Sequence, residues 1–110
     1  MEKKKMKVLV VCQCNINRSP TVAKFLRKHM KHMEVKDAGV LFGYPNIVNQ
    51  ELIDWADIVM VMDIEQQYYI CQHFPKHPKI YVIGLSDQYD PDDDRLIDLL
   101  HWYFQVPKSK

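Results

Sequence analysis

The run Lys7-Val8-Leu9-Val10-Val11-Cys12 constrains the fold more than any other part of the sequence. It has no polar face, so it reads as a strand covered on both sides, as strands of parallel sheets are. Such a strand needs a helical layer above and below it. The next segment supplies one. From Pro20 to His32, Val22, Ala23, Phe25, Leu26 and Met30 recur at helical spacing, with Lys24, Arg27, Lys28 and Lys31 between them. Pro20 suits the first turn of that helix.

The pattern continues along the chain. Val35 to Ala38 reads as a short strand, Asn49 to Trp55 as a short helix, and Ile58 to Met62 as another buried strand. Ile64 to Phe74 reads as a helix, Pro75-Lys76-His77-Pro78 as a breaker, Ile80 to Ile83 as a fourth strand and Leu96 to Phe104 as a closing amphipathic helix. Alternating strands and helices imply right-handed crossovers. The expected fold is therefore α/β, a three-layer sandwich with a four-stranded parallel sheet and helices on both faces. At 110 residues the chain is expected to form one domain, 1–110.

Fifteen Lys plus Arg oppose fourteen Asp plus Glu, a formal net charge of +1, so bulk electrostatics point to neither nucleic acid nor membrane. The run Val8 to Cys12 is too short for a signal-peptide core or a membrane span, and a cytoplasmic protein is expected. Three cysteines at irregular spacing do not describe a disulfide framework, and reduced thiols are the default. His29 and His32 lie on the basic helix, and His73 and His77 flank the proline break without a ligand set beside them. All read as solvent-exposed, so no metal is expected. Cys71 reads as a buried apolar residue, Trp55 and Trp102 as core or helix-packing residues, and Tyr68-Tyr69 as aromatics on a helix surface.

The chemistry gathers in Cys12-Gln13-Cys14-Asn15-Ile16-Asn17-Arg18-Ser19, between the first strand and its helix. In an open α/β sheet, ligands bind beyond the carboxyl ends of the strands. There the backbone N–H groups of the loop and the helix dipole favour an anion such as phosphate. Cys12, at the strand end, is a candidate nucleophile whose thiolate the helix N-terminus and Arg18 would stabilise. Arg18, five residues on, presents a planar fork to two phosphate oxygens. Asn15 and Asn17 tolerate left-handed backbone where glycine would be expected. Ser19 is placed either to cap the helix or to hydrogen-bond the sulfur.

A Cys-x5-Arg-Ser spacing is a modest signal alone and a stronger one at a strand-to-helix junction. The segment Val10 to Pro20 resembles the phosphate loop of the low-molecular-weight protein tyrosine phosphatases. Asp37-Ala38-Gly39 is similar to that family's Ser-Ala-Gly, Trp55 to Asp63 to its third strand, and Leu85-Ser86-Asp87-Gln88-Tyr89 to its acid loop, so the resemblance covers nearly the whole chain. It implies sheet order 2-1-3-4 and a phosphatase needing no metal or other cofactor. Its substrate would be a phosphotyrosine-containing protein or a small aryl phosphate, and it would act as a monomer. Cys12 would attack phosphorus while Arg18 and the amides of Gln13, Cys14, Asn15, Ile16, Asn17, Arg18 and Ser19 hold the oxygens. An aspartate would protonate the leaving phenol and then help water to hydrolyse the phosphocysteine. Asp87 is preferred for that role, and Asp90, in Asp90-Pro91, is the alternative.

The chain departs from the family pattern in places. Asn17 stands where many members carry a second cysteine, and a Cys12–Cys14 disulfide would close a small, strained ring. The segment Val40 to Asn49 is short, and Phe42 and Tyr44 either wall the substrate pocket or pack inward. Three other readings share the loop. One is an arsenate reductase of the same fold, for which Cys71 is the one distant relay candidate. Another is a phosphoserine phosphatase of the kind acting on the RNA polymerase C-terminal repeat. The last is a non-catalytic phosphate-binding module.

Overall fold

A computed structural model describes residues 5–13, 18–40, 46–84 and 93–107, with Arg18 described in its backbone only. Eight elements alternate along the chain: β1 (Met6–Cys12), α1 (Arg18–His29), β2 (Met33–Gly39), α2 (Gln50–Trp55), β3 (Ile58–Val61), α3 (Ile64–His73), β4 (Lys79–Val82) and α4 (Asp94–Tyr103). The strands form one parallel sheet in the order β2-β1-β3-β4, so the expected architecture and order hold. Being parallel, the strands bring their carboxyl ends to a single edge.

β1 is central because its sequence allows nothing else: Val8, Leu9, Val10 and Val11 are all fully buried. Their side chains alternate between faces. Val8, Val10 and Cys12 join Val22, Ala23, Phe25 and Leu26 of α1 and Leu96 and Leu100 of α4. Leu9 and Val11 join Ile53 of α2, Ile70 of α3, Val59, Val61 and Phe74. The two helical layers therefore cover opposite faces, and each fully buried aliphatic side chain contributes about 1.5–3 kcal/mol.

Register follows from the same pattern. Cys12 stands opposite Gly39 on β2, and Val11 opposite Val61 on β3. At the other end, Lys7 N–H donates to Asp57 Oδ2 at 2.9 Å while Asp57 N–H donates to the Lys7 carbonyl at 2.8 Å, which locks β3 against β1. Helix ends are written locally. Asn49 Oδ1 accepts from Leu52 N–H at 2.9 Å, Asp63 N–H donates to Gln66 Oε1 at 2.9 Å, and Asp93 Oδ1 accepts from Arg95 N–H at 2.8 Å.

Boundaries differ from the sequence reading by a few residues. α1 begins at Arg18 and stops at His29, because the His32 carbonyl already accepts from Met6 N–H of β1 at 3.1 Å and Met33 opens β2 opposite Met6. Trp102, expected to pack, is 78% exposed, since α4 turns Leu96 and Leu100 toward the sheet and leaves its opposite side uncovered. No helix among the described residues is long and apolar enough to cross a membrane.

Candidate active site

β1 delivers Cys12 to the carboxyl edge of the sheet, where it is only 3% exposed. α1 then returns over the same face, and its first turn carries Ser19, fully buried, with Oγ 3.0 Å from Cys12 Sγ. Cys12 and Ser19 lie seven positions apart in the chain, and the structure sets their sulfur and hydroxyl side by side. Ser19 Oγ also donates to the Ala38 carbonyl at 3.4 Å, which ties the start of α1 to β2. Of the two roles open to Ser19 in the sequence, the structure shows the contact with sulfur.

The segment after β2 is tied to the end of β1. Val40 N–H lies between two carbonyls, 3.2 Å from that of Cys12 and 2.9 Å from that of Gln13, and Gly39 N–H donates to the Asn46 carbonyl at 2.9 Å. Nothing in the phosphate-loop sequence foretold these supports, though Asp37-Ala38-Gly39 was the signal that could have found them. Farther along the edge, Gly84 N–H donates to the Met62 carbonyl at 2.8 Å. Its φ is +81°, a backbone conformation that glycine adopts freely, and an added Cβ would meet nothing within 4 Å. The dihedral and not crowding therefore demands glycine there.

A thiol so placed has definite possibilities. It sits at the N-terminal end of a 12-residue helix, where unpaired N–H groups and the dipole favour negative charge. A hydroxyl within reach can donate to a thiolate or accept from a thiol. The structure thus brings Cys12, Ser19 and the backbone start of Arg18 together and leaves Gln13 exposed at the loop's first step. Cys14, Asn15, Ile16 and Asn17 lie outside the described residues, as do Asp87 and Asp90, Phe42 and Tyr44.

Two further observations correct the sequence reading. Cys71 is not buried: it is an exposed residue of the last turn of α3, with Sγ 3.6 Å from His77 Nε2. Ile70 and Phe74 take the inward positions on that turn instead. At the far end of α1 from the site, His29 faces His101 of α4, ring centroids 5.1 Å apart, with Phe25 against both. Desolvation first, then the charges of His101 and Lys28, hold His29 below its ordinary value. That pair joins helices far apart in sequence, so no local pattern announces it.

No family model matches the chain, and no curated protein does. Solved structures do. The YwlE arginine phosphatase from Geobacillus stearothermophilus matches with a TM-score of 0.73 at 24% identity, over 91% of this chain and 88% of that one. The tyrosine phosphatase Wzb from Escherichia coli K30, in complex with phosphate, matches with a TM-score of 0.73 at 21% identity, over 92% and 98%. A low molecular weight protein tyrosine phosphatase from T. tengcongensis gives 0.70 at 23% identity, over 92% and 96%. The chain has the fold of these phosphatases.

Proposed function

We propose that the chain is a phosphatase that hydrolyses aryl phosphate monoesters, phosphotyrosine foremost, through a phosphocysteine on Cys12. The observation that carries this reading is the buried Cys12 sulfur, 3.0 Å from Ser19 Oγ at the junction of β1 and α1. The loop sequence and a fold shared with tyrosine and arginine phosphatases support it.

In this reading the phosphate enters over the start of α1, where backbone N–H groups and Arg18 hold its oxygens. The Cys12 thiolate attacks phosphorus in line with the departing oxygen, which takes a proton from Asp87, or from Asp90 if that residue holds the role. Ser19 stabilises the sulfur when it leaves in the second step, in which water attacks the phosphocysteine and the same aspartate accepts its proton. No step calls for a metal. The protein works alone in the cytoplasm.

Hydrolysis of p-nitrophenyl phosphate in the presence of a chelator tests this. Activity in the wild type, loss in Cys12→Ser and a large fall in Asp87→Ala are expected. Full activity in Asp87→Ala together with loss in Asp90→Ala would transfer the acid role. An inert wild type that still binds phosphopeptide would make the chain a binding module, and thiol-dependent turnover of arsenate in place of ester hydrolysis would make it a reductase. Because an arginine phosphatase shares the fold, phosphoarginine belongs beside phosphotyrosine in the substrate panel.

A further inference from the structure

The turn that closes α3 holds a second thiol with a base beside it. Cys71 Sγ is exposed and 3.6 Å from His77 Nε2, and His77 Nδ1 is 2.8 Å from the Pro78 carbonyl oxygen. A carbonyl only accepts, so Nδ1 carries the ring proton, and in the neutral imidazole Nε2 is left with its lone pair toward the sulfur. The thiol is then the donor, S–H to Nε2. After proton transfer both ring N–H groups keep partners, Nδ1–H on Pro78 and Nε2–H on the thiolate. Nucleophile, base and a third group orienting the base is the arrangement by which weak nucleophiles are activated. Its place in the fold sharpens the point. The C-terminal end of a helix disfavours an isolated thiolate but favours a cation, so a thiolate on Cys71 depends on the imidazolium next to it. Pro75 and Pro78 bracket the turn and restrict its backbone, which keeps His77 in place.

We propose that Cys71 is a nucleophilic modification site that reacts with low-molecular-weight disulfides, with His77 as its base. Cys71 passes its proton to Nε2, the thiolate attacks one sulfur of the disulfide, and the S–S bond breaks as the new one forms. The leaving thiolate then takes the proton from Nε2, so thiol plus disulfide become mixed disulfide plus thiol with no external oxidant. The site stands on the face of the sheet opposite Cys12, among the partners of Ile70 and Phe74, and does not depend on how Cys12 is read.

The test incubates the full chain with oxidised glutathione at neutral pH and maps the adduct by peptide mass spectrometry, which separates Cys12, Cys14 and Cys71. Cys71 should be modified about 10-fold faster than the cysteine of an unstructured peptide, and His77→Gln should remove that advantage while circular dichroism is unchanged. A wild-type Cys71 no faster than the free peptide overturns the proposal without recourse to any variant. So does an equal rate in a folded His77→Gln.

Discussion

Cys12 and Cys71 lie at opposite ends of helices, and the contrast shows how far surroundings decide what a thiol does. Cys12 stands before the N-terminus of α1, buried, with a hydroxyl for a neighbour. Ser19 has no basic nitrogen, and its hydroxyl can hydrogen-bond the sulfur but not take its proton. Cys71 stands in the last turn of α3, exposed, where the dipole is adverse to a thiolate and a histidine nitrogen lies 3.6 Å from the sulfur. The first environment shields its thiol from solvent. The second suits encounter with small molecules from solution.

The largest effect should come from exchanging sulfur for oxygen at each position. Cys12→Ser is expected to lower p-nitrophenyl phosphate turnover by at least about 10³-fold, roughly 4 kcal/mol of barrier, while Cys71→Ser leaves turnover unchanged. Equal losses in both would break the contrast. Next in size is the support beneath each thiol. Leu26→Ala, in the fully buried layer under Cys12, should cost about 2–5 kcal/mol of stability in urea unfolding. Tyr68→Ala, on the open side of α3, should stay within about 0.5 kcal/mol.

Smaller again is the hydroxyl itself. Ser19→Ala should reduce kcat/KM about 10-fold, the scale of one hydrogen bond of about 1.4 kcal/mol, and His77→Gln should not alter it. An unchanged rate in Ser19→Ala would mean that the contact at 3.0 Å does not serve the reaction. The smallest expected effect is a pH dependence on the Cys12 side of the sheet. His29 binds its proton less readily in the folded chain than an ordinary histidine does, first through desolvation and then through His101 and Lys28. The unfolded state thus holds more protons in the interval just below the ordinary histidine value. Stability is full above it and declines as the pH falls through it. Urea midpoints at about pH 7.5 and about pH 5.5 should differ in that direction, and His29→Gln should shrink the difference.

Much of this was written locally. The apolar run of β1, the helical spacing after Pro20, the Asn49 and Asp63 caps and the strand-loop-helix setting of Cys12 depend on neighbours within one or two turns, and the sequence by itself determined them. Two-sided burial followed from β1 having no polar face, while the sheet order was read from the resemblance to the phosphatase family. Only the tertiary structure decided what lay between distant segments: the Ser19 hydroxyl on both Cys12 and the Ala38 carbonyl, Val40 N–H between the Cys12 and Gln13 carbonyls, His29 against His101. It also decided which side of a helix faced inward. α3 and α4 carry apolar residues on more than one side, so packing had to choose. It buried Ile70 and Leu100 and left Cys71 and Trp102 outside. A helical period marks which residues share a face, but the partner that covers that face comes from elsewhere in the chain.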